Sequence, residues 1–272
     1  MRSVTRRRLS TGAWILGIGA ALVYITLPAV VVVLAAFNER AILSFPPQEW
    51  SLRWFVKAVS YNDFQDGFVN GLIVTAWAST IAVVVGSTFA YAIDRLRFPG
   101  RDALETLLLS PLVIPHFTIG LGFLILASQL SMARSFTVVV ITHVVLVLPF
   151  VLRSVYVSLQ NLDVAYEKAA ESLGASPGRV MRHVTIPLLA PGLFGGWLFA
   201  AVISFNEFTA SLFVTGHRTQ TLPVAMYTYV REYTDPTIAA ISALFIGVTA
   251  VILIVANRFL GLGRVLAIEE VK

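Results

Sequence analysis

The chain has 272 residues, 57% of them hydrophobic and only 13% charged, with no cysteine and a mean hydropathy of +0.80. Soluble domains carry about 25% charged residues, so the composition excludes an ordinary soluble domain and places the chain in a lipid bilayer. Disulfides and thiolate metal sites are excluded. The formal net charge of +5 gathers at the ends of apolar runs, as topology signals do, and no basic nucleic-acid-binding domain is present.

The N-terminal MRSVTRRRLS followed by an apolar run imitates a signal peptide. The run from Gly12 to Phe37 is too long for an h-region of about 7–15 residues and meets the ~20 that a crossing helix needs. It is expected to be a retained first helix, kinked at Pro28. Spans are predicted at about 12–37, 68–93, 106–128, 136–157, 192–214 and 238–260. Only helices or closed barrels satisfy the backbone in lipid, and these runs lack strand alternation. The expected fold is an all-α integral membrane protein with six transmembrane helices.

Between the first two spans, FPPQEWSLRWF predicts a turn at Pro46-Pro47 and a short interfacial helix capped by Ser51, with Trp50, Trp54 and Phe55 at the membrane surface. The basic loop DRLRFPGRD at 94–102 contains a Pro-Gly turn. The third span holds Pro111, Pro115, Gly120 and Gly122 and is expected to be broken, packing on protein or lining a cavity. The fourth holds His143 and Pro149; His143 and His116 read as satisfied core histidines. The fifth carries Gly192-x-x-x-Gly196, a close-packing motif, and SFNEF at 204–208. Residues 1–67 read as an N-terminal addition, 68–260 as the core with a loop at 158–190, and 261–272 as a tail.

Fourteen Lys and Arg lie on the side of the N-terminus and six on the other. Both termini and the 158–190 loop are therefore expected in the cytoplasm. The sequence has no Gly-x-x-x-x-Gly-Lys-Ser/Thr loop, no His-Glu-x-x-His site and no Gly-x-Ser-x-Gly elbow, so no catalytic, ATP-binding or metal role is expected of this chain itself. Glu207 is the one acidic residue well inside a predicted span, beside Asn206. An intramembrane carboxylate is expensive and faces a cavity or a partner. It either lines a path with Asn206 and favours cations, or makes a packing pair between subunits.

The longest polar interruption of the second half runs from Asp163 to Gly192. It predicts a helix over about 164–173 with Asp163 as N-cap, a left-handed Gly174 closing it, and a second helix started by Ser176-Pro177. That second helix is expected to stop before Pro187, because proline disfavours the α region at Ile186. Ala165, Ala169 and Ala170 form a small-residue face able to seat in a cleft of another protein.

Here Ala169-Ala170, three residues, Gly174, nine residues, then Val184-Thr185-Ile186-Pro187 resemble the cytoplasmic coupling loop of ABC-importer permeases, whose motif reads Glu-Ala-Ala, Gly, Ile-x-Leu-Pro at that spacing. One departure is that Lys168 precedes the alanine pair and the glutamate stands a place earlier, at Glu167. The resemblance covers the chain from about residue 30 onward. It implies a cytoplasmic coupling loop between helices 4 and 5, with Glu167, Lys168, Ala169, Ala170, Gly174, Ile186 and Pro187 as its motif residues. It also implies a second permease of the same fold, two cytoplasmic ATPase subunits that hold ATP and Mg, an external solute-binding protein, a bacterial inner-membrane location, and alternating access. SFPPQEWSLRWF, SFNEF and LFVTGHRTQTLPVAMY are similar to the second permease of spermidine/putrescine-type importers. Such permeases often show SFDDF or SFDEF where this chain has Asn206-Glu207. Relatives carrying opines, 4-aminobutyrate or 2-aminoethylphosphonate look similar. A solitary ion-coupled transporter would instead show several intramembrane charges or an inverted repeat, and a membrane-embedded enzyme a cluster of catalytic groups.

Overall fold

A computed structural model describes the backbone over residues 2–260 and side chains over residues 14–254. The expected tail at 261–272 lies outside the described residues. The helices, in order, are α1 (Arg2–Ala35), α2 (Arg53–Ser60), α3 (Asn62–Arg95), α4 (Arg101–Leu109), α5 (His116–Gln129), α6 (Phe136–Gln160), α7 (Ala165–Ser172), α8 (Pro177–Val180), α9 (Ile186–Phe205), α10 (Ser211–Val214), α11 (Leu222–Glu232) and α12 (Thr237–Leu260). Among the described residues there is no strand, only an isolated bridge between Asn38 and Trp50. The chain divides into two compact units, Met1–Tyr61 with Thr228–Ala250, and Asn62–Tyr227 with the chain from Val251. The stretch expected as one core, 68–260, is shared between them.

In the first unit, Pro28 lies inside α1 without ending it. Over the span Trp14–Ala35 only 6% of the most apolar window is buried, so this helix needs lipid or a partner around it rather than water. Ser51 is not the cap residue expected: Leu52 occupies the N-cap position of α2 without a side-chain cap bond, and Ser51, one place earlier, accepts the Arg53 N–H on its Oγ at 3.2 Å. Trp54 departs from the interfacial reading. It is buried, and its Nε1 donates to the Asn38 carbonyl at 2.6 Å, which gives an otherwise unpartnered buried acceptor its bond. Lys57 meets Asp235 at 2.6 Å, and Asp235 also accepts from the Thr237 amide at 2.9 Å, which gives the first amide of α12 a partner.

In the second unit, α3, α6 and α9 pack on one another. Their core joins Ala82, Ala90 and Ile93 of α3, Val147, Val151, Val155 and Leu159 of α6, and Leu189 and Ala200 of α9. The Gly192/Gly196 motif does what its spacing predicts. A Cβ on Gly192 would sit 1.9 Å from Ser158 Oγ and 2.6 Å from its Cβ, so glycine is required there for α9 to lie this close to α6, while one on Gly196 would make a tighter than usual contact of 3.3 Å with Ser154 Cβ.

The ends of these helices settle how often the chain crosses. Gln160, closing α6, donates to Asp94 near the end of α3, so those two C-termini lie together. Near their starts, Asn70 donates to the carbonyls of Arg218 and Gln220, and Thr219 donates to the Arg134 carbonyl just before α6. Helices α3 and α6 are therefore parallel, and the chain between them must traverse the bundle once. It does so through α4, a 3-10 turn at Ser110–Leu112 and α5, bent by 102° at Pro115. The expected broken third span is this pair, and counting it as one crossing makes six spans by length and composition.

Two boundaries differ from expectation. The fifth span begins at Pro177 and ends at Phe205, where 192–214 was predicted. The second hairpin helix does not stop before Pro187. Ile186 keeps α geometry at φ −60 and ψ −46, and a π turn at Met181–Thr185 leads straight into α9. The π turn shifts the ladder to i+5, as when the Ile186 N–H bonds the Met181 carbonyl, and so absorbs the amide that Pro187 lacks. The hairpin thus has one short helix, and its second limb is the start of a membrane span.

Candidate functional site

Helix α7 is built as its sequence predicts at both ends. Asp163 Oδ1 accepts the Ala165 N–H at 2.8 Å. After Leu173 the chain turns at Gly174 with φ +87, a conformation cheap only for glycine. Gly174 N–H bonds the Glu171 carbonyl at 2.9 Å and Ala175 N–H bonds the Ala170 carbonyl at 3.1 Å, a Schellman closure. Ser176 occupies the N-cap position of α8 with Pro177 next, but its hydroxyl makes no cap bond. The Arg179 amide bonds the Ser176 carbonyl instead.

The motif residues separate into a buried base and an exposed tip. Glu167 is 7% exposed and points inward. Its Oε2 accepts from Arg95 Nε at 3.1 Å and its Oε1 from the Thr185 hydroxyl at 2.7 Å. Arg95 also pairs with Asp94 at 2.5 Å, and Asp94 accepts from Gln160. One polar network therefore ties α7 to the ends of α3 and α6 and to the π turn that opens α9. Lys168, Ala169, Gly174, Ile186 and Pro187 are exposed and Ala170 is half-buried. Leu173, at 90% exposed, stands at the tip.

Sequence reasoning missed Arg95, Asp94, Gln160 and Thr185. Arg95 entered only as a topology charge, and Thr185 only as an unassigned place in the motif. The displaced glutamate was the signal available, because on a helix Glu167 and Lys168 cannot face the same way.

Asn206 and Glu207 lie past the end of α9 rather than inside a span. Asn206 is exposed, and its side-chain amide turns back to the Val202 carbonyl at 2.8 Å. Glu207 is buried at the break. Its Oε2 meets His116 Nδ1 at 2.8 Å and its Oε1 accepts the Ala210 N–H at 2.7 Å. The two neighbours thus occupy different surroundings. Glu207 ends the helix because its carboxylate takes an amide three residues on, a bond that competes with the helical ladder. His116 opens α5, so the pair joins the breaks of two interrupted spans. A Cβ on Gly120 would lie 2.7 Å from Ala210 Cα, so glycine is what admits this approach. His143 is the satisfied core histidine expected, fully buried between the hydroxyls of Ser204 at 2.8 Å and Ser211 at 2.9 Å. Among the described residues no cluster could hold a metal ion.

The family described as "Binding-protein-dependent transport system inner membrane component" matches residues 82–262, which include the whole hairpin. The chain belongs to this family. As a member of it, the chain is a permease subunit of an ABC importer and a multi-pass membrane protein. It is 25% identical over 253 residues to the spermidine/putrescine transport system permease protein PotC of Escherichia coli (strain K12), covering 93% of this chain and 94% of PotC. It is 28% identical over 232 residues to the putrescine transport system permease protein PotI of the same strain, covering 83% and 82%. It is also 28% identical over 241 residues to PhnV of Salmonella typhi, a putative 2-aminoethylphosphonate transport system permease protein, covering 87% and 90%. The fold matches a chain of the bacterial alginate ABC transporter solved in complex with alginate pentasaccharide-bound periplasmic protein. That match has a TM-score of 0.72 and 15% identity, and it covers 94% of this chain and 95% of the other.

Proposed function

We propose that this permease subunit carries a small organic cation, a polyamine of the spermidine/putrescine kind, into the cytoplasm. Support for the solute is the similarity to PotC and PotI over most of the chain. The rest of the machine follows the importer class. A second permease of the same fold completes the path, a solute-binding protein delivers from outside, and two cytoplasmic ATPase subunits hold ATP and Mg. The hairpin and both termini face the cytoplasm of a bacterial inner membrane, and ATP is hydrolysed on the partner subunits.

The observation that carries the coupling role is the division of the hairpin into tied base and free tip. Lys168, Ala169, Gly174 and Leu173 are exposed for docking, with Ala170 beside them. Behind them Glu167 grips Arg95 of α3 and Thr185. Ile186 and Pro187 lie in an unbroken helical passage from the hairpin into the fifth span. A push on the tip therefore reaches two spans at once, by an ion pair and by a continuous helix. At the far end, Asn206 and Glu207 form the selective element of the path, where a cationic solute competes with His116 for the Glu207 carboxylate.

A second solute class has its own support. Asn206 is neutral, and Glu207 is already paired with a histidine. An amino acid-like zwitterion such as 2-aminoethylphosphonate, an opine or 4-aminobutyrate would meet one acid and one base there, and PhnV is among the relatives.

The test is ATPase activity of the co-purified complex, wild type against Gly174→Asp, with candidate binding proteins loaded with putrescine, spermidine or 2-aminoethylphosphonate. Stimulation by a polyamine-loaded protein, lost in Gly174→Asp while the membrane subunits remain assembled, is the expected result. Stimulation only by the zwitterion replaces the solute. Absence of any co-purifying ATPase overturns the coupling role and favours a solitary transporter.

A further inference from the structure

Where α3 gives way to α4 the chain turns through Arg97–Phe98–Pro99–Gly100. The turn leaves a cavity of about 420 Å³ lined by Arg97, Phe98, Gly100, Arg101, Asp102 and Ala103. Among the described residues, neither Arg97 nor Arg101 takes part in an ion pair. The Nε of Arg101 is moreover shut off from solvent and has no acceptor. That N–H is closed to the cavity as well as to water, so the outer guanidinium nitrogens of Arg101, with those of Arg97, are the donors that can meet a ligand there. Asp102 is the one carboxylate in the lining, which leaves the cavity with a net charge of one cation.

The cavity sits at the hairpin end of the bundle, because Arg95, two residues before Arg97, is bonded to Glu167. Leu96, the residue before Arg97, is 52% exposed, and Leu107, one helical turn on from Ala103, is 67% exposed. Arginines set beside exposed leucines at the end of a membrane span mark the depth at which headgroups meet acyl chains.

We propose that this cavity binds the phosphate of an anionic phospholipid, with Arg97 and Arg101 as its donors. A planar guanidinium offers paired N–H groups to phosphate oxygens. A phosphodiester monoanion together with Asp102 balances the two arginines. A zwitterionic headgroup would add a further cation to that balance. Free inorganic phosphate shares the anion chemistry but offers nothing to the exposed leucines. Basic recesses at the cytoplasmic boundary of other membrane proteins recognise lipid headgroups on the same physical grounds.

The experiment is a lipid titration of the purified full-length permease in its complex, read by native mass spectrometry. Phosphatidylglycerol, phosphatidylcholine with the same acyl chains, and millimolar inorganic phosphate are the probes. Wild type is expected to prefer phosphatidylglycerol by about tenfold. The Arg97→Gln/Arg101→Gln variant should lose that preference. Arg218→Gln removes one arginine charge at the opposite end, as Arg97→Gln does at this one, and should keep it. Arg97 is exposed, so Arg97→Gln alone gives a folded variant if the double one fails to assemble, and it should show a partial loss. Equal retention of phosphatidylglycerol by wild type and the arginine variants overturns the proposal. So does displacement of the lipid by inorganic phosphate, which would make the cavity a site for soluble anions.

Discussion

Glu167 shows how one displaced residue changes the work of a motif. A carboxylate directly before the alanine pair would stand on the exposed face, where Lys168 now is. One place earlier it turns inward and finds Arg95 and Thr185. A buried ion pair adds little net stability over an apolar filling, and because Arg95 keeps Asp94 when Glu167 is lost, breaking it costs less than the about 3–5 kcal/mol of a fully stranded charge. Glu167→Ala is expected to expose the α7 amides at Ala165–Ser172 to hydrogen exchange. Glu167→Gln keeps an acceptor for the Thr185 hydroxyl and should cost less, about 1–2 kcal/mol. Unchanged protection of these amides in Glu167→Ala would remove the tether from the account.

At the scale of helices, close approach decides where glycine is required. Gly192 and Gly195 are near neighbours in α9, yet a Cβ meets Ser158 Oγ at 1.9 Å at the first and only Ser154 Oγ at 3.9 Å at the second. Gly192→Ala should therefore destabilise by about 1–3 kcal/mol through overpacking. Gly195→Ala should be neutral or stabilise by up to about 1 kcal/mol through helix propensity. Thermal denaturation of the two variants side by side checks this, and equal midpoints would contradict the packing.

The Lys57–Asp235 pair, which ties α2 to the start of α12, carries a pH signature. For Asp235, burial pushes the carboxyl up, but hydrogen bonds from Lys57, Thr237 and Tyr229 outweigh it and hold it below its ordinary 3.8. For Lys57, the hydrogen bond to Asp235 outweighs burial and raises it above its ordinary 10.5. A depressed acid contributes stability above its unfolded value and loses it as pH falls through the folded one. A raised base contributes below its unfolded value and loses it as pH climbs through the folded one. The pair's contribution, of order 0–1 kcal/mol because Lys57 is half exposed, should be flat between about pH 5 and about pH 9. The melting difference between wild type and Asp235→Asn across that window measures it, and a slope there would assign the stability to another group.

For the whole molecule, orientation is the open variable and charge predicts it. The hairpin end and the 216–220 end lie on opposite faces of the bundle formed by α3, α6 and α9, as their terminal hydrogen bonds require. The natural chain has no cysteine, so single introduced thiols report sidedness without background. Ser172→Cys should react with an impermeant maleimide only from the cytoplasmic side of oriented vesicles, and His217→Cys only from outside. The reverse pattern would contradict the positive-inside assignment.

The sequence by itself determined the membrane class, the six spans, the hairpin with its left-handed Gly174 and the close-packing glycines of α9. These features are written in local signals. Apolar runs as long as the bilayer is thick, a glycine after the last apolar residue of a helix and small residues four apart need no knowledge of distant partners. Where the helices end and which way the polar groups face was decided only by tertiary structure. Pro187 predicted a stop, but a π turn carried the helix past it into a packed span. The apolar run to residue 214 predicted continuity, but α9 ends at Phe205, and past that end Glu207 takes the Ala210 amide and meets His116 ninety-one residues away. Arg95 looked like a topology charge until α7 brought Glu167 to it across seventy-two residues. A polar group in lipid must be satisfied, and when its partner lies far along the chain only the assembled bundle can show which one it takes.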